Sequence, residues 1–232
     1  MKRISILVSL FALTAAAGCN ETSGGAEGVV EYTPDRCDIV GSGCSFDNSI
    51  AVGGDLIVHI MGADGVSTAG FDLVSDDTTV LDVVPIADIG GRPTWELIGN
   101  GAGVARLIAV DADDVEVDFL EVPVQEIDNL ALQNSIGDAV GGPVQGDPDY
   151  DEIWSLNAGE ETWFYVEPLA GQGLLMGVVQ YTITIDGDLE ASLVEGSDIP
   201  GGFYKINASA GDYTLSIVAD NGTFLDVLFE VQ

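Results

Sequence analysis

GVARLIAVDADDVEVDFLEVPV, residues 103 to 124, decides the class of fold. Two runs rich in Val, Ile and Leu flank Asp111-Ala112-Asp113-Asp114, an acidic turn. In the second run Val115, Val117 and Phe119 fall on one face and Glu116 and Asp118 on the other. That period of two marks a half-buried strand. The alternation slips at Phe119-Leu120, which predicts a bulge or a change of surroundings there. Working outward, Asp55–Met61, Thr79–Val84 and Ala105–Val110 read as further strands. Only 127–136 offers a helical period, and it lacks caps.

The pattern recurs. GDYTLSIVADNGTFLDVLFEVQ, from Gly211, again gives glycine, strand, acidic turn and a longer closing strand. Asn221-Gly222 supplies the turn, a pair that favours a type I′ hairpin. Leu225, Val227, Phe229 and Val231 form the expected buried face. IAVGGDLIVHIMG from Ile50 parallels SLNAGEETWFYVEP from Ser155, so the copies lie about 105 residues apart, one sandwich domain each. The expected fold is all-β: two tandem immunoglobulin-like β-sandwiches, 36–126 and 127–232, with the boundary just before a Gly-, Pro- and Asp-rich stretch.

The chain has 39 acidic against 6 basic residues, a formal net charge of −33. Such a chain lacks the positive patches that nucleic acids and anionic lipid surfaces require. Hydrophobic residues make up 47%, enough for a folded core under an acidic surface rather than a disordered polyanion. That surface suits a salty medium, where counterions screen self-repulsion, or one containing divalent cations.

The beginning of the sequence reads as an export leader. Met1-Lys2-Arg3 is basic, and Ile4 to Ala17 is uncharged but shorter than the roughly 20 residues a spanning helix needs. Two cuts fit: Ala15-Ala16-Ala17 offers an ordinary small-residue site, which would leave a secreted chain with a free Cys19, and Ala16-Ala17-Gly18-Cys19 resembles the bacterial lipobox, with Ala where Leu is usual. That resemblance implies cleavage after residue 18, a lipid on Cys19 and anchoring to the cell envelope, with a bacterial outer membrane as the expected location. Acylation would also settle cysteine parity, leaving Cys37 and Cys44 to pair in an oxidising compartment. A bridge across that short loop would contribute about 2.5 kcal/mol. Residues 19–35, small and polar, are expected to form a flexible tether.

Three further stretches carry the family resemblance of the first unit: AVGGDLIV at 51–58, LVSDDTTVLDVV at 73–84 and GNGAGVARLIAVDADDVEVDFLEVPV at 99–124. Together they resemble the bacterial immunoglobulin-like domains of the group-2 type, although Trp95 here follows the Ser75 segment instead of preceding it. DYDEIWSLNAGEETWFYVEP at 149–168 and SAGDYTLSIVA at 209–219 are similar to bacterial pre-peptidase C-terminal domains. Both likenesses imply a surface or exported module and leave open whether it spaces, adheres or binds.

No motif assigns catalysis. His59 is the only histidine, without a G-x-S-x-G motif or a second histidine for zinc. No Gly-rich loop introduces a phosphate-binding helix. Asp147, Asp149, Asp151 and Glu152 alternate along a short segment and offer the oxygen ligands calcium prefers, though without EF-hand spacing. Calcium is the one cofactor these acids suggest; otherwise none is expected. Asp111, Asp113 and Asp114 are a weaker set, and Asp186-Gly187-Asp188 reads as a turn. Trp154, Trp163, Phe164 and Tyr165 form either core or a platform for a protein or carbohydrate partner. The expected function is a non-catalytic envelope lipoprotein that acts in adhesion, as a scaffold or in ligand recognition. The alternative is an exported hydrolase using paired carboxylates near the domain junction.

Overall fold

β-Branched and aromatic residues alternating with polar ones commit the chain to strands, and the computed structural model is built almost wholly of them. It describes residues 23–35, 46–134, 154–159, 162–171, 173–186, 190–193, 203–207 and 209–232. The first half contains β1 (Ser23–Gly24), β2 (Val30–Asp35), β3 (Ile50–Ala51), β4 (Asp55–Gly62), β5 (Asp72–Ser75), β6 (Leu81–Ile89), β7 (Arg92–Gly99), β8 (Gly103–Val110) and β9 (Glu116–Gln125). The second contains β10 (Asn129–Asn134), β11 (Trp154–Leu156), β12 (Thr162–Ala170), β13 (Gly173–Leu174), β14 (Tyr181–Ile185), β15 (Glu190–Leu193), β16 (Phe203–Asn207), β17 (Gly211–Ala219) and β18 (Phe224–Val231). The only helical element among the described residues is a short 3-10 turn at Ala63–Gly65. Within the helical candidate, Asn129–Asn134 form the strand β10 instead.

Both halves follow one plan. The first pairs its strands in the orders β1-β2-β4-β7-β6 and β3-β9-β8-β5, the second β10-β12-β16-β15 and β11-β18-β17-β14. Leaving aside the two-residue strands β1 and β13, the latter paired with β12 off that path, each half has four strands per sheet in matching sequence positions. In each, a short strand joins the closing strand in parallel, β3 with β9 and β11 with β18. This is the arrangement of an immunoglobulin-like sandwich. The inward faces make two cores. One contains Tyr32, Leu56, Leu97, Leu107 and Val122, the other Leu132, Phe164, Leu215, Val227 and Phe229.

Residues 23–35 are not a tether. They form β1 and β2, and β2 pairs antiparallel with β4 from Val30 opposite Gly62 to Asp35 opposite Ile57. Val30 and Tyr32 are completely buried. The first sandwich therefore starts before residue 36. Val30, Tyr32 and Pro34 alternate inward, but a single short run behind a glycine-rich stretch is too brief to announce a strand by period.

The hairpin tips explain the repeat. In the second half the Ala219 N–H donates to the Thr223 carbonyl and the Gly222 N–H to the Ala219 carbonyl, both at 2.8 Å, with Gly222 at φ +88°. That is a three-residue loop ending in a left-handed residue, not the expected type I′ turn, in which Asn221 would also need positive φ. The first half repeats the geometry. Asp111 N–H donates to the Val115 carbonyl and Asp114 N–H to the Asp111 carbonyl, both at 3.0 Å, with Asp114 at φ +59°. Asp114 thus does in left-handed geometry what Gly222 does without steric cost.

Candidate functional site

Asp118 departs furthest from the alternation read in the sequence. The register between β8 and β9 shifts where Ala109 faces Asp118 and Val110 faces Glu116. The bulge lies at Val117, ahead of the expected position, and it turns Asp118 inward to complete burial. Its Oδ1 accepts the Glu27 N–H and its Oδ2 the N–H groups of Val29 and Val30, each at 2.8 Å. Phe119 N–H also donates to Oδ1. Burial pushes the carboxyl up, but the donors of Glu27, Val30, Val29 and Phe119 outweigh it and hold Asp118 below the usual carboxylate range. Asp118 therefore locks the β1–β2 turn onto the first sandwich, a structural task. A β-carbon on Gly25 would overlap its carboxyl group.

His59 lies on β4 between Thr33 and Thr94 in register. Its ring is buried, with Nδ1 3.0 Å from Thr94 Oγ1 and 3.4 Å from the Pro93 carbonyl. Nearby, Trp95 Nε1 donates to Asp72 Oδ1 at 2.8 Å, which satisfies a buried indole. The acids at the β8–β9 tip form a turn: Asp111 Oδ1 accepts the N–H groups of Asp113 and Val115. Phe164 and Tyr165 are core residues of β12. Asp186 ends the β14 edge and donates its N–H to the Thr214 carbonyl. Cys19, Cys37, Cys44, Asp147, Asp149, Asp151 and Glu152 lie outside the described residues. Among the described residues, no group of three or more His, Cys, Asp or Glu is placed to hold a metal ion.

Two features are candidates for function. The first is the joint between the sandwiches. After the β12–β13 turn the chain runs beside β3 and places successive side chains in different cores. Leu175 lies in the second core and Met176 in the first. Across from them Ile50 belongs to the first core and Ala51 to the second. Backbone bonds lace the strands together. Ala51 N–H donates to the Met176 carbonyl at 2.9 Å and Met176 N–H to the Ser49 carbonyl at 2.8 Å. Val178 N–H donates to the Asp55 carbonyl at 2.7 Å, and Asp55 N–H returns a bond to Val178 at 3.2 Å. Gly177, at φ +106°, lets this segment pass close to Gly54 and Asp55. The connector after β9 is also held, because Asn221 Nδ2 and Thr223 Oγ1 both donate to the Ile127 carbonyl. Burial, and then the Glu96 charge, push the Asp55 carboxyl above its ordinary value.

The second feature is the outer face of the β14-β17-β18 sheet. Asp212 stands opposite Glu230, Thr214 opposite Leu228, Ser216 opposite Asp226 and Val218 opposite Phe224. Asp186, Asp212, Thr214, Leu228 and Glu230 line an open depression of about 440 Å³. Phe224 is 66% and Leu228 52% exposed. The surface combines apolar contact area with carboxylate acceptors, suited to hydroxyl-bearing or cationic partners. Counting back from the expected two-residue Asn221-Gly222 turn sets Asp212 against Val231; only the three-residue loop brings Asp212 opposite Glu230.

No protein-family model matches the chain, and no curated protein matches it. Solved structures with some likeness include domains 5–6 of the S-layer protein SbsC, at 17% identity over 81% of this chain and 95% of that one, with a TM-score of 0.31. The adhesin InvE of Yersinia pseudotuberculosis is 12% identical over 79% of this chain and 56% of its own, with a TM-score of 0.32. An endo-fucoidan hydrolase of glycoside hydrolase family 107 is 15% identical over 80% of this chain and 27% of its own, with a TM-score of 0.31. TM-scores this low carry no argument about what the chain does.

Proposed function

We propose that the protein is an exported, non-catalytic adhesion or scaffold module, held to the cell envelope by a lipid on Cys19. The observation that carries this reading is the joint. Met176 and Ala51 each reach into the neighbouring sandwich's core, and backbone bonds tie the segments on which they lie. A connection of this kind resists bending, whereas sandwiches on a loose linker reorient independently. Stiffness suits a part that transmits load or holds a surface at a fixed distance from a membrane. The exposed Phe224 and Leu228 beside Asp226 and Glu230 offer a face for a protein or carbohydrate partner.

The deciding experiment compares host cells carrying the native chain, cells lacking it and cells with Cys19→Ala. Loss of the chain or its release by Cys19→Ala should reduce attachment or loosen envelope organisation to a similar degree. Purified chain should turn over neither glycosidic nor ester substrates. Turnover that collapses in Asp212→Asn, Glu230→Gln or Asp149→Asn would replace this reading with a paired-carboxylate hydrolase.

A further inference from the structure

Edge strands invite pairing by other chains, and folded proteins blunt them with charges, proline, bulges or shortness. Most edges of this molecule are blunted. β6 carries Asp82, Pro85 and Asp88, with a register shift between Ile86 and Ile89. β5 spans only four residues, and its Asp72 carboxylate accepts the Leu73 N–H. The Leu130 N–H of β10 is likewise taken by the Asn129 side chain. β1, β3 and β11 have two or three residues, and β15 is short and carries Glu190.

β14 has none of these devices. It reads Tyr-Thr-Ile-Thr-Ile with no charge and no proline, in a chain with 39 acids. It ends the order β11-β18-β17-β14, and among the described residues nothing pairs with its other side. The free backbone groups can be assigned. Asp186 N–H donates to the Thr214 carbonyl, so the even-numbered residues 182 and 184 share its direction and face β17. Tyr181, Ile183 and Ile185 therefore direct their N–H and C=O groups to the open edge. Their side chains are only half-buried, while Thr182 and Thr184 are exposed.

We propose that β14 is a self-association edge, on which two copies of the chain pair antiparallel about a two-fold axis through Ile183 and join two four-stranded sheets into one. A two-fold interface must be self-complementary, and this strand is. Pairing about Ile183 sets Ile183 against Ile183, Thr182 against Thr184 and Tyr181 against Ile185. Thr–Thr and aromatic–β-branched pairs are favourable across strands. All three residues with free backbone groups then fall at hydrogen-bonded positions. The register also handles charge. Asp186 meets the copy's Gln180, and the two Asp186 carboxylates sit about 20 Å apart, beyond the screening length of about 8 Å at physiological salt. This inference stands apart from the proposed function, because a dimer could form whether or not the module adheres.

Sedimentation velocity of the full chain, from about 1 to 200 μM in 0.15 and 1 M NaCl, tests it. A monomer–dimer equilibrium that tightens with salt is expected, since salt screens repulsion between two acidic bodies. The T182E/T184E variant puts like charges opposite each other at exposed positions and should weaken dimerisation by ~10-fold or more, with an unchanged melting curve. Should that variant unfold, hydrogen exchange on the native chain decides. Ile183 and Ile185 amides should gain protection with concentration, whereas Thr182 and Thr184 are protected throughout. A chain monomeric under every condition overturns the proposal, as does a dimer in which Ile183 and Ile185 exchange no more slowly than in the monomer.

Discussion

The Ala51 N–H donates to the Met176 carbonyl at 2.9 Å, at a joint where Ala51 belongs to the second core and Met176 to the first. Period-two alternation does this. A strand running between two bodies gives successive side chains to opposite sides, so one segment serves both cores. Met176→Ala should cost about 2–4 kcal/mol by opening a cavity at the joint. Met176→Asp should go further and split a single cooperative melt into two transitions. Calorimetry of the full chain reads both; a single transition in Met176→Asp, unshifted from the native chain, would show that the joint does not couple the sandwiches.

Asp118 holds three N–H groups of the β1–β2 turn with two oxygens. Asp118→Asn keeps the shape but aims an NH₂ group at one set of donors, leaving buried N–H groups unmatched. The expected loss is about 3 kcal/mol or more. Gly25→Ala should be similarly harmful, because its β-carbon has no space beside the carboxyl group. Denaturant titration checks both, and a loss below about 1 kcal/mol in each would remove Asp118 from this locking role.

Asp118 and Asp55 should have opposite pH signatures. Asp118 has a lowered folded pKa, so its stabilisation is present above the ordinary Asp value near 3.9 and is lost as pH falls through the lower folded value. Asp55 has a raised folded pKa, so its ionisation costs stability at neutral pH, and that cost is relieved as pH falls through the raised value. Asp55→Asn should therefore melt higher than the native chain at pH 7, with the difference shrinking on acidification. Paired melting curves from pH 7 to pH 3 measure it; a difference that stays constant across the range contradicts the assignment.

Asp114 occupies the left-handed position that Gly222 fills in the other sandwich. Asp114→Gly should stabilise by up to about 1 kcal/mol, since glycine removes the steric cost of positive φ. Gly222→Asp should be destabilising by a comparable amount. Equal and opposite shifts in chemical denaturation midpoints would confirm that the two tips share one geometry.

Asp147, Asp149, Asp151 and Glu152 crowd four carboxylates into six residues, a repulsion that a hard cation relieves. Calcium should raise the melting temperature at fixed ionic strength, and magnesium should do less because it demands octahedral geometry and gives up water reluctantly. Equal shifts from calcium, magnesium and matched sodium chloride would leave screening as the whole effect.

Alternation and turn chemistry were enough to read the class of fold. Leu225, Val227, Phe229 and Val231 line the inward side of β18 as their period dictates, because a strand with one face on a core must bury every second residue. The closing hairpins could be matched by order alone, since their lengths and turns recur. Alternation sets Asp118 outward while the structure buries it, for a reason that is also physical. A bulge at Val117 rotates the strand, and one displaced residue moves every side chain beyond it to the other face. Sequence shows the alternation on each side of a bulge, but the donors that make an inward carboxylate tolerable come from residues 27 to 30, far away in the chain.

The sequence by itself determined that this is an acidic, all-β chain of two similar sandwiches, because those properties depend on composition, period and repetition, which are local. Only the tertiary structure decided that residues 23–35 belong to the first sandwich, that Asp118 is a buried anchor, that Met176 and Ala51 bind the halves together and that, among the described residues, nothing pairs with the outer side of β14. Each of these depends on which distant segments meet. Strand pairing is specified by the fit of whole faces and by backbone hydrogen bonds, which every residue type but proline can donate, so the sequence carries little record of them.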